Sequence, residues 1–155
     1  MALTKKQMDA VQAQLPVIGL IMAYYKKFGE DAFQVAKEYF AQFGKMQGEN
    51  SKKSLKITRT DANAVAAVLN ACLMQIEMPG ICKVEGNKVI AETDGFCPIM
   101  EAVKILNAPW DKIDVYCSWP AFGEMARAVN PNAKIDVVEA RHKGDKSCKH
   151  VFTIP

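Results

Sequence analysis

A chain of 155 residues, 50% hydrophobic and 24% charged with a net charge of +3, has the size and composition of one globular domain. Residues 45–59 carry Lys45, Lys52, Lys53, Lys56 and Arg59 against Glu49 alone. No aromatic residues are interleaved there to stack bases, so the run reads as a solvated loop and nucleic-acid binding is excluded as an expectation. The longest apolar stretch near the N-terminus, residues 15–25, is about half of what spans a bilayer, which argues against a membrane protein.

Thr4 caps a first helix that runs toward Gln14, where Pro16 kinks or ends it. Val17, Leu20, Ile21, Tyr24 and Phe28 then recur at helical spacing, the pattern of a buried stripe, and Gly29 reads as the stop. A further helix runs from Asp31 to Phe43, with Phe33, Ala36, Phe40 and Phe43 on one face and Gly44 as C-cap. Residues 44–54 are polar and basic and read as a loop. Asp61 caps the next helix, whose apolar face is Val65, Val68, Leu69, Cys72 and Ile76, and Pro79-Gly80 ends it. Cys72 is read there as a small core hydrophobe.

Residues 81–85 and 88–93 flank Gly86-Asn87, a two-residue turn signature for a β-hairpin, and Cys82 falls inside its first strand as a structural residue. Residues 98–106 and 120–129 read as short helices, the second ended by Asn130-Pro131. Two strand-like runs, 134–141 and 147–154, close the chain, joined by His142-Lys143-Gly144-Asp145. Helices come first and hairpins later, without a strand–helix alternation. The expected class is α+β: one domain over 1–155, with a helical part over about 1–80 and a hairpin and cysteine-containing part over about 81–155 around a small antiparallel sheet.

Three cysteines of the second half stand at helix starts or turn exits. Pro98 makes Cys97 an N-cap, where unpaired N–H groups and the helix dipole lower a thiol pKa and make a nucleophile or a metal ligand. Cys117 lies just before the helix that Pro120 opens, beside Trp119, which walls a small apolar pocket or packs in the core. On the last strand Cys148 and His150 share a face with Phe152 and Ile154. A thiol beside an imidazole serves as a nucleophile–base pair or as two soft metal ligands, and the same face also fits a plain core-facing strand. His142 and Asp145, in the turn, read as solvated. There is no phosphate loop, dinucleotide fingerprint, metalloprotease His-Glu pair, nucleophile elbow or set of spaced Cys-x-x-Cys pairs. Nucleotide and serine hydrolysis are not expected.

The ordered set Gly95-Phe96-Cys97-Pro98-Ile99, Cys117, Asn130-Pro131 and Gly144-Asp145-x-x-Cys148 resembles the L-2-amino-thiazoline-4-carboxylic acid hydrolase-like family. The ending is also similar to that of the wider group of 4-vinyl-reductase-type small-molecule-binding domains. The resemblance covers residues 90–155; the N-terminal half is similar in layout, including the Tyr-x-x-Phe-Gly stretch from Tyr25 to Gly29. It implies a helical part packed on a small antiparallel sheet with a ligand cavity between them. It also implies hydrolytic opening of a sulfur-containing ring at an amidine-like carbon, with Cys97, Cys117 and Cys148 as the positions that carry over. His150 departs from the family, which more often has an aromatic residue there.

Two functions follow. In a hydrolase, Cys97 or Cys117 attacks, or the thiols hold a metal-activated water, with His150 as base or ligand. In a non-catalytic module, Cys97, Cys117, Cys148 and His150 hold zinc, iron, a haem-like group or a small ligand, for sensing or as an accessory subunit of a larger enzyme. A structural subunit with merely packed thiols is the third reading. The five cysteines, an odd count, fit a reducing compartment, and the absence of a signal-peptide layout makes the cytoplasm the expected location. Eight methionines and several aromatics leave room for the apolar surface of a homo-oligomer or a partner enzyme.

Overall fold

The structure is a computed structural model describing residues 2–155. Its elements in chain order are helices α1 (Lys5–Phe28), α2 (Asp31–Ser54) and α3 (Ala62–Met74), then strands β1 (Cys82–Glu85) and β2 (Lys88–Thr93). Helices α4 (Pro98–Leu106), α5 (Trp110–Ile113) and α6 (Trp119–Arg127) follow, with a single π-helical turn, Asp114–Ser118, joining α5 to α6. Strand β3 (Lys134–Glu139), a 3-10 turn at Arg141–Lys143 and β4 (Cys148–Thr153) complete the chain. The fold is α+β. The sheet is antiparallel in the order β1-β2-β4-β3, so the last strand is inserted between the hairpin and β3.

Local signals explain most of these boundaries. Thr4 and Gln7 form a reciprocal capping box at the start of α1, and the Asp61 carboxylate accepts the Ala64 N–H at 2.9 Å to open α3. Gly86 closes the hairpin with a φ of +62°. Helix α3 stops at Met74, well before Pro79-Gly80.

Three expectations are corrected. Pro16 lies inside an unbroken α1. Its ring is solvent-exposed, and Val11 and Ile18 anchor the turns on either side in the core, so the missing N–H costs one hydrogen bond without ending the helix. Most of the stripe on α1 is turned outward: Val17, Leu20, Tyr24 and Phe28 are 37–61% exposed, and of its residues Ile21 alone joins Val11 and Ile18 on the buried face. Helix α2 continues through 44–54, so the basic run begins as helix, and Lys52 donates from Nζ to the Ala128 carbonyl.

Gly44 is therefore a packing residue and not a cap. A Cβ on it would lie 2.6 Å from Ala121 Cα, and one on Gly48 would lie 2.7 Å from both Ala128 Cβ and the Met125 carbonyl oxygen. One turn apart, these two glycines let the backbones of α2 and α6 meet directly.

Two apolar clusters result. One joins α3, α6 and the sheet through Val65, Leu69, Val89, Val129 and Phe152; the other joins α1, α2, α4 and α5 through Val11, Ile18, Phe33, Val103 and Ile113. Because the obstructing atoms at Gly44 are backbone, Gly44→Ala is expected to destabilise the fold by about 1–3 kcal/mol, a lowered midpoint in urea unfolding at unchanged slope.

Candidate ligand-binding site

Between the two clusters lies a cavity of about 320 Å³. Its wall is mainly apolar, with Ile18 and Ile21 from α1, Phe40 and Phe43 from α2, and Phe122 and Met125 from α6. Val17 and Tyr39, lining residues that are 37% and 56% exposed, mark where it reaches the surface between α1 and α2. At the sheet side the wall is made by Ala91, Cys148 and His150, with Cys97 and Arg141 beside them.

The fold thus gathers Cys97, Cys117, Cys148 and His150 around one space, from the start of α4, the π-helical turn and β4. Cys72, read as a plain core residue, also borders it, and its Sγ lies 3.3 Å from Ser51 Oγ. Cys82 stays within the sheet core. Trp119 does not line the cavity; its ring lies 5.9 Å from that of His142, with the Lys143 ammonium over its face. Trp110 provides the indole in the wall instead.

Cys97 and Cys117 are not activated as their helix-start positions predict. Cys97 is the N-cap of α4, with no side-chain capping bond. The N–H groups of Met100 and Ile99 and the Arg141 charge favour its thiolate, but burial outweighs them and pushes its pKa up. Burial, followed by the Asp114 carboxylate, pushes Cys117 to about 12, and burial raises Cys82 to about 12 as well. Cys148 Sγ accepts the Arg141 backbone N–H at 3.5 Å.

The four expected ligands surround the cavity without meeting at a point. Among the described residues, no three His, Cys, Asp or Glu side chains gather closely enough to hold a metal ion. The donor set does not fit the zinc or iron cage expected from Cys97, Cys117, Cys148 and His150, because no three of these side chains converge on one point.

His150 sits opposite Ala91 on β2 and Val137 on β3, with the Phe122 ring edge-on at 5.4 Å. Burial lowers its pKa, partly offset by Asp114, so the imidazole is neutral at pH 7. Its Nε2 is buried without a hydrogen-bond partner, as is the Trp110 indole N–H.

In the turn after β3 the solvated reading holds for Asp145, which is exposed, and fails for His142. His142 Nδ1 is 2.8 Å from Asp114 Oδ2, and these side chains are only 6% and 5% exposed. Asp145 braces the same turn by accepting the Ala140 N–H at 2.9 Å. Asp114 and Arg141 are site residues that sequence reasoning missed. Asp114 is 28 residues from its partner, and no motif spacing connects it to the cavity.

No protein-family model, curated protein or solved structure matches this chain. No helix among the described residues is long and apolar enough to cross a membrane.

The raised thiols have a consequence for stability. Their folded pKa values exceed those of the unfolded chain, so their contribution is complete below about pH 8.5 and is lost as pH rises toward 12. Urea midpoints are expected to fall between pH 8.5 and 11, with a shallower fall in Cys117→Ala.

Proposed function

We propose that this chain is a small-molecule-binding domain whose ligand occupies the cavity between the two clusters. The supporting observation is the cavity itself: about 320 Å³, predominantly apolar, reaching the surface between α1 and α2, with a few buried polar groups at its sheet side. That combination is typical of ligand sites, whose volumes begin at about 300 Å³. Protein interiors are otherwise close-packed, and unfilled apolar space forfeits contacts on every lining atom. The protonated Cys97 and Cys117 line the space as small, soft walls, which suits binding better than thiolate attack.

The native protein is expected to bind one equivalent of an uncharged naphthalene-type fluorescent probe with a blue-shifted emission. Ala91→Phe, which grows a ring from the cavity floor, is expected to abolish that signal while the unfolding midpoint holds or rises. Equal probe binding by both proteins, or by neither, overturns the reading.

A second reading is favoured by one residue. The neutral His150 faces the same space as the thiols, and a buried neutral imidazole can accept a proton from water. In a hydrolase of the thiazoline ring-opening type, His150 would activate the water and the cysteines would shape the pocket. Ring-opening of a thiazoline carboxylate at pH 7.5, lost by at least roughly 100-fold in His150→Gln, is the expected outcome of that reading. Unchanged turnover in the variant would exclude His150 as the base.

A further inference from the structure

The reading of the cavity as a ligand site leaves one group unexplained. Arg141 donates from Nη1 to the Gly95 carbonyl at 2.8 Å, which pins one side of its guanidinium. The opposite edge, Nε and Nη2, is buried and has no hydrogen-bond partner. No carboxylate answers the charge: among the described residues, none of the ion pairs includes Arg141. Asp114, the carboxylate in the cavity wall, is engaged by His142. Arg141 as a whole is half-buried, with its Gly95 contact near solvent, but the Nε and Nη2 donors are enclosed, and enclosed donors of a charged group left without partners are costly.

The free edge has the geometry of a two-pronged donor. Nε–H and one Nη2–H point in parallel, which matches the two oxygens of a carboxylate. His150 is 91% buried by its 9% exposure, and its unpartnered Nε2 belongs to the same sheet-side wall. Away from that end the wall is hydrocarbon and aromatic: Ile18, Ile21, Phe40, Phe43 and Phe122.

We propose that the ligand is a monocarboxylate with an apolar body. Its carboxylate lies on the Nε–Nη2 edge of Arg141 with His150 Nε2 beside it, and its body extends along α1 and α2 toward the mouth at Val17 and Tyr39. This assignment rests on the proposed binding function and specifies its ligand. The guanidinium is held in place by Gly95 before the ligand arrives, so little ordering remains to be done on binding.

Calorimetric titration of the full chain with octanoate, 1-octanol and octyl phosphate tests it, with the uncharged naphthalene probe as control. Octanoate is expected to bind roughly 10- to 100-fold more tightly than octanol, the range for charge-assisted hydrogen bonds. Arg141→Lys keeps the charge and loses the fork; it is expected to erase most of that preference, read as the ratio of octanoate to octanol affinity. Should that variant fail to fold by circular dichroism, the octanoate-to-octanol ratio of the native protein decides alone. Equal affinities, tighter binding of octyl phosphate, or an undiminished preference in a folded Arg141→Lys overturns the carboxylate assignment. If the probe binds and octanoate does not, the assignment falls and the binding function stands. If neither probe nor any octyl compound binds, the binding function falls too.

Discussion

The direct contact between α2 and α6 governs the arrangement of the rest. Two glycines one turn apart, Gly44 and Gly48, bring one helix backbone against Ala121, Met125 and Ala128 of the other. This contact sets the spacing of the wall that carries Phe40 and Phe43 on α2 and Phe122 and Met125 on α6. The π-helical turn leads directly into α6. Pro120 lacks an N–H to continue an α-helical ladder from α5, and the Trp119 N–H reaches back to the Asp114 carbonyl in the wider turn. Asp114 and Cys117 are thereby directed inward, where both are buried.

Enclosure decides the chemistry of everything that faces inward. A helix start favours a thiolate through its dipole and free N–H groups, an effect of a few tenths to about 1 kcal/mol at exposed positions. Desolvation of a buried charge is larger and acts in the opposite sense. Cys97 experiences both, and burial prevails. The same enclosure keeps His150 neutral, makes Asp114 and His142 depend on each other, and leaves the Arg141 charge without an internal answer. These consequences share one cause: polar groups placed around a space that the protein's own side chains do not fill.

Much of the secondary structure was legible because its signals are short-ranged. Thr4, Asp61, the Gly86-Asn87 turn and Pro98 each act within a few residues, and each marks a boundary where the residue pattern places it. The alternation along β4 correctly puts Cys148, His150, Phe152 and Ile154 on one buried side. Reasoning from single residues failed where a distant element supplied the deciding contact. Gly44 resembles a helix terminator until α6 is laid against it. Pro16 resembles a breaker until Val11 and Ile18 are seen to anchor both sides. Val17, Leu20, Tyr24 and Phe28 keep helical spacing, yet packing chose the neighbouring face, and periodicity alone does not say which face a partner covers.

The sequence by itself determined the α+β class, most strand and cap positions, and the candidacy of Cys97, Cys117, Cys148 and His150, because propensity and periodicity are local properties. Only the tertiary structure decided that these four share a cavity without forming a metal cage. It alone decided that Cys97 and Cys117 stay protonated, that His142 is buried against Asp114, and that Arg141 presents an unsatisfied edge. Desolvation, charge pairing and the space between helices depend on which remote segments meet. No spacing along the chain encodes that directly.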